Sequence, residues 1–175
     1  NKIPELLCPA GDLTRLKAAV DYGADAVYLG AKDFSARRNA ENFSVDELET
    51  VAKYCHIRNV KVYLTLNILI KDEELQDAVN LAAAAYNAGI DGIIVQDLGL
   101  ASVLHEKLPE LPLHASTQMS IHSLSGVLLC AGWGLSRVVL SRELNREEIR
   151  YICKNSPIEI EIFGHGALCM CYSGQ

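Results

Sequence analysis

No apolar run in the chain approaches the roughly 18 residues that a membrane-spanning helix needs. The amino end also lacks the basic-then-apolar layout of a secretory signal. These absences point to a cytoplasmic protein. An excess of basic residues is missing too: 16 Lys and Arg stand against 22 Asp and Glu, for a formal charge of -6. That balance argues against a protein that grips nucleic-acid phosphates over its whole surface, and leaves room only for a local basic patch. No Gly-x-Gly-x-x-Gly follows the first strand, so a dinucleotide crevice is not indicated. Neither Gly-x-Ser-x-Gly nor His-Glu-x-x-His occurs, which removes the recognisable hydrolytic motifs.

What is present is a chain of 175 residues, half of them hydrophobic, enough to bury a sizeable core in one domain spanning 1–175. Its six cysteines do not read as a disulfide framework, because most lie in regular apolar patterns rather than in short stapled loops. Cys8, Cys55, Cys130 and Cys153 read as small core residues. Cys169 and Cys171 stand apart.

One unit recurs along the chain: a short apolar, β-branched run, a turn of small or polar residues, then a helical pattern that often ends in Gly. The first strand is placed at 5–8, with Asp12 as N-cap of a helix to Tyr22 and Gly23 as its stop. The second is 26–30. After a polar loop, 31–43, Ser44 and Glu47 form a capping box for a helix to about His56. Further strands are placed at 60–67, 92–97, 113–116, 137–141 and 158–163. Between them lie helices over 72–87, 98–107, up to Gly132, and from the cap Asn145 to Asn155.

Strands that alternate with helices in this way form a parallel sheet, and continuous apolar runs fit strands covered on both faces. The fold class is therefore α/β, and a TIM-type (β/α)8 barrel suits this many uniform units better than an open sheet. Seven βα units are present. Eight strands close such a barrel, so the last is expected after Gln175, with a continuation of the chain or a partner chain covering the gap.

Active sites of these barrels lie at the carboxyl ends of the strands. The tips here are strongly polar: Asn67; Gln96 and Asp97; Ser116 and Gln118; Ser141, Arg142 and Glu143; Glu161 and His165. Arg37 and Arg38, on the loop after the second strand, reach toward the same mouth and suit phosphate or carboxylate. Taken singly, Asp97, Ser141 and Asn145 read equally well as helix caps, and Arg142 with Glu143 as a salt bridge on the rim. His165 sits between two glycines, where backbone approaches a ligand closely. His114 reads as structural. Cys169-Met170-Cys171 offers two thiols to a metal or cluster, but four ligands are the usual number.

The run Glu161-Ile162-Phe163-Gly164-His165-Gly166-Ala167-Leu168-Cys169-Met170-Cys171-Tyr172-Ser173-Gly174-Gln175 resembles the signature of the collagenase-like peptidases. Leu7-Cys8-Pro9-Ala10-Gly11, Tyr28-Leu29-Gly30 through Phe34-Ser35-Ala36-Arg37, and Ser141-Arg142-Glu143-Leu144 extend the resemblance over essentially the whole chain. It implies a family whose peptidase mechanism was never assigned. Its better-understood branches support hydroxylation of a base in transfer or ribosomal RNA, or hydroxylation steps in ubiquinone synthesis.

The resemblance further implies a [4Fe–4S] cluster with Cys169 as a ligand, Cys171 as a neighbour in a variable position, and the remaining ligands beyond Gln175. The leading expectation is thus an iron–sulfur enzyme acting on RNA. Glu161, His165, Arg142 and Gln118 would line its pocket, while Arg37, Arg38, Asn67, Gln96, Asp97, Ser116 and Glu143 would contact substrate. A metal-dependent peptidase acting on protein or peptide, and a non-catalytic scaffold barrel, are the alternatives.

Overall fold

A computed structural model describes residues 3–31, 34, 43–166 and 171–174. Seven strands form one parallel sheet in sequence order: β1 (Leu7–Pro9), β2 (Ala26–Gly30), β3 (Lys61–Leu66), β4 (Gly92–Val95), β5 (Leu113–Ala115), β6 (Arg137–Val139) and β7 (Glu159–Glu161). The intervening helices are α1 (Leu13–Asp21), α2 (Val45–His56), α3 (Asp72–Asn87), α4 (Leu98–Lys107), α5 (Leu124–Gly132) and α6 (Arg146–Asn155). This is the βα succession expected from the sequence.

Local chemistry explains the boundaries. The Asp12 carboxylate accepts from the Arg15 N–H at 2.7 Å and starts α1, and Gly23, at φ +93°, takes the left-handed turn after it. The Ser44 N–H donates to Glu47 at 2.8 Å, and the Asn145 N–H donates to Glu148 at 2.7 Å, so α2 and α6 both open on reciprocal caps. Most strands are shorter than their apolar runs. A short 3-10 turn, Thr117–Met119, follows β5 where the sequence shows only a polar tip.

The two faces of the sheet bury different partners, as the period of two along a strand requires. Val27, Leu29, Val62, Leu64, Ile93 and Val95 face outward and pack with helix residues such as Leu16, Leu48, Val79 and Leu104 in the main core. Ala26, Tyr63 and Ile94 face inward with Leu7 and Tyr28, in a separate cluster. The sheet curls around this inner cluster. Glu5, just before β1, reaches Arg137 at the start of β6 with an N–O distance of 2.9 Å, which brings the first strand close to the sixth across the interior.

Three of the four cysteines assigned to the core fit there: Cys55 and Cys130 are buried and Cys8 is half-buried. Cys153 is not. It is exposed on α6, whose inward stripe is narrow enough that Ile152 is its only buried residue. Among the described residues no helix is long and apolar enough to cross a membrane.

Candidate active site

At the carboxyl ends of β5 and β6 the chain builds a strap from its own signature. Cys171–Gly174 lies across the loops after these strands and is held by four hydrogen bonds from three residues. The Arg142 guanidinium donates to the Cys171 carbonyl at 3.0 Å, and the Ser173 N–H donates to the Glu143 carboxylate at 2.8 Å. The Ser120 hydroxyl donates to the Ser173 carbonyl at 2.6 Å, and the Arg142 N–H donates to the Ser173 hydroxyl at 3.3 Å. The Ser173 N–H also keeps the Glu143 carboxyl below its ordinary pKa. Gly174, at φ +85°, sits so close to the 117–120 turn that a Cβ there would collide with the Ser120 hydroxyl and lie 2.8 Å from the Gln118 carbonyl oxygen. Only glycine fits.

Strand alternation places a second set of groups at the mouth. Thr65, Ile94, His114 and Val139 are inward positions, so Asn67, Gln96, Ser116 and Ser141, two residues on, share that face. Ser116 caps the 3-10 turn by accepting from the Gln118 N–H at 3.2 Å. Ser141 is different: 6 % exposed, with no hydrogen-bond partner for its Oγ. It therefore caps no helix. Asp97 does, accepting from the Leu100 N–H at 2.8 Å and from the Ile70 N–H at 3.3 Å, which ties the loop after β3 to α4.

Below the mouth lies a charge cluster centred on Arg137. Its guanidinium is within 2.6 Å of Glu159, 2.9 Å of Glu5 and 3.4 Å of Glu161, and it stands over the Tyr63 ring at 5.1 Å from the centroid. Tyr63 donates to Glu5 at 3.0 Å, and Lys61 closes the group with a 2.9 Å contact to Glu5. His114 meets the Tyr63 ring edge-on at 4.7 Å, in space that Gly92 leaves open: a Cβ there would come within 3.3 Å of Tyr63 and 3.4 Å of His114. Burial, reinforced by the Arg137 charge, pushes His114 down to about 3, so it is a neutral imidazole.

Glu5 and Glu161 respond differently. Burial raises Glu5, but hydrogen bonds from Lys61 and Arg137 outweigh it and leave its pKa low. For Glu161 burial wins over Arg137, helped by the negative charges of Glu5 and Glu159, and the pKa is raised. Glu161 pairs in register with Val139, one step beyond the Arg137–Glu159 pair, so it is the member of the cluster nearest the mouth. A carboxyl whose pKa is raised by burial holds its proton more readily than an ordinary one, which suits acid–base chemistry.

The sequence-derived site residues thus separate into groups. Glu161, Asn67, Gln96 and Ser116 take inward positions toward the mouth. Gln118 lies in the 3-10 turn, its carbonyl packed against Gly174. Arg142 and Glu143 form no rim salt bridge with one another; each turns to the strap instead. Asp97 is a cap. His165 is exposed at the end of β7. Arg37, Arg38 and Cys169 lie outside the described residues. Arg137, Glu5 and Tyr63 escaped the sequence reading, although an arginine opening an apolar strand, with Glu159 and Glu161 at matching parity on the next, was a signal for the cluster.

A [4Fe–4S] cluster takes four thiolates. Among the described residues no three His, Cys, Asp or Glu side chains are placed to hold a metal ion, and near the mouth they supply one thiol, that of Cys171. The described residues therefore do not make up the ligand set.

Residues 11–175 match the model of peptidase family U32. The chain is 41 % identical over 171 residues to the 23S rRNA 5-hydroxycytidine C2501 synthase of Escherichia coli (strain K12), covering 98 % of this chain and 26 % of that protein. It is 40 % identical over 175 residues to the tRNA hydroxylation protein P1 of Bacillus subtilis (strain 168), covering 100 % of this chain and 42 % of the relative. The chain thus spans less than half the length of these relatives. The solved structure of the U32 peptidase Mk0906 superposes with a TM-score of 0.73 at 15 % identity, over 93 % of this chain and 69 % of that one, which is a likeness of fold.

Proposed function

The chain belongs to peptidase family U32, and from that membership we propose that its barrel serves an enzyme that hydroxylates a base in transfer or ribosomal RNA. The observation that carries this reading is the similarity, across nearly the whole chain, to two proteins named for RNA hydroxylation. The mouth is compatible with it. Asn67, Gln96 and Ser116 are neutral amides and a hydroxyl on the inward face, able to donate to and accept from the edge of a base taken out of its stack. Glu161 below them supplies a carboxyl that can move a proton. Arg37 and Arg38 are assigned the phosphates on either side of that base.

Cys169 is proposed as one ligand of a [4Fe–4S] cluster, which would supply electron-transfer chemistry when bound. His165 and Gln118 are proposed to contact substrate at the rim. Arg142, expected in the pocket, and Glu143, expected to contact substrate, are assigned instead to the strap, which they hold. The location proposed is the cytoplasm, where transfer and ribosomal RNA are found.

Peptide hydrolysis is the weaker reading. Among the described serines at the mouth, no hydroxyl is bonded to a histidine base: Ser116 accepts from a backbone N–H, Ser120 donates to a carbonyl, Ser173 accepts from the Arg142 N–H and shares the Glu143 carboxylate within the strap, and Ser141 has no partner. The separating experiment gives anaerobically purified full-length protein bulk cellular RNA in one assay and gelatin in another. One oxygen added to a nucleoside, with gelatin intact, is expected. Cleaved gelatin with unchanged RNA overturns the proposal. Iron and acid-labile sulfide, at about four each per chain and lost in Cys169→Ala, test the cluster separately.

A further inference from the structure

Glu161 is a half-buried carboxyl on the inward face below the mouth, and its position does not come from β7 alone. That strand is three residues long and lies at the edge of the described sheet. Arg137 provides the missing constraint. Its side chain is 8 % exposed, and its guanidinium touches four groups from three separate parts of the chain: Glu5 before β1, Tyr63 on β3, and Glu159 and Glu161 on β7, while its own backbone belongs to β6. A planar fork with this many partners has little freedom to turn.

We propose that Arg137 is a positioning residue for Glu161: its guanidinium, fixed from below by Glu5 and Glu159, holds the Glu161 carboxyl on the barrel interior and controls its charge. The inference rests on the reading of the mouth as the reacting centre. The other groups that face this carboxyl are Tyr63 and Lys61 from β3 and His114 from β5. His114 is neutral, Tyr63 keeps its proton because burial raises it, and Lys61 is engaged with Glu5. The charges that act on Glu161 are thus those of Arg137, Glu5 and Glu159.

Two substitutions then act in opposite senses. Arg137→Gln removes the positive charge that favours the ionised carboxyl, so Glu161 must titrate higher. Glu159→Gln removes a negative neighbour and releases the guanidinium that Glu159 now binds at 2.6 Å, so Glu161 must titrate lower. Glu159 is more than half exposed, and its replacement leaves the core untouched. A purely structural role for Arg137 would weaken folding in both variants without moving the titration in opposite directions.

The test uses full-length protein. Carbon-13 NMR follows the Glu161 carboxyl through a pH titration, and RNA hydroxylation is measured against pH in parallel. Expected is an upward shift of about one pH unit in Arg137→Gln and a downward shift of a few tenths in Glu159→Gln, in the carboxyl titration and in whichever limb of the activity profile Glu161 governs. Shifts of the same sign, or none, overturn the proposal. If Arg137→Gln does not fold, Glu159→Gln decides alone: a downward shift supports the assignment, and no shift or an upward one sinks it. NMR shifts of the expected signs in a protein inactive on RNA would support the hold of Arg137 on Glu161 while overturning the RNA reading, so the two failures are distinguishable.

Discussion

The Arg142 guanidinium donates to the carbonyl of Cys171 at 3.0 Å, so a residue that the sequence suggested as lining the catalytic pocket instead fastens the cysteine-bearing signature to the barrel. The neighbouring Glu143 does the same through the Ser173 N–H. Arg142→Ala is therefore expected to raise amide hydrogen exchange across 171–174 while costing no more than about 1.5 kcal/mol of global stability, since the lost bond is partly exposed. Unchanged exchange in the strap would show that Arg142 does not hold it.

Gly174→Ala tests the strap at its tightest point. The positive φ costs an L residue about 1 kcal/mol, and the added Cβ meets the Gln118 backbone, which cannot swing away as a side chain would. The expected outcome is a barrel that still melts cooperatively but loses protection near 171–174 and loses activity. A fully active, fully protected variant would contradict the contact.

Acid should weaken the fold through His114. Its folded pKa of about 3 lies below the ordinary histidine value of 6.5, so between these limits the unfolded chain binds the proton and the folded chain does not. The stability from keeping the imidazole neutral is fully present above pH 6.5 and is lost as pH falls, at up to about 1.4 kcal/mol per unit. Denaturant melts between pH 7 and 4 should show this slope, and His114→Phe should flatten it. An equal slope in both proteins would mean that other groups carry the acid sensitivity.

The outer core should behave as a close-packed interior. Leu48 is fully buried between α2 and the sheet, and Leu48→Ala is expected to cost about 2–5 kcal/mol, read as a lower denaturation midpoint.

Much of this fold is legible in the sequence because its signals are local. The Ser44–Glu47 and Asn145–Glu148 caps, and the turn glycine Gly23, are set by residues three or four apart, and the buried strands announce themselves as apolar runs. The ends of α3, α4 and α6 fall where the pattern puts them. The interior is another matter. Glu5 and Arg137 meet only because the sheet curls, and nothing near either residue in the chain reports the other. Arg142 and Glu143 likewise find partners some thirty residues on, in a segment that reads as a metal motif rather than as a strap. Cys153 misleads because an apolar neighbour, Ile152, takes the only buried place on its helix.

The most direct test of the account is nucleoside mass spectrometry of transfer and ribosomal RNA from cells lacking the gene, complemented with the native full-length protein or with Glu161→Gln. The account predicts a hydroxylated base that disappears on deletion, returns with the native protein and stays absent with the variant. RNA whose modified nucleosides are identical in all of these cells would contradict it.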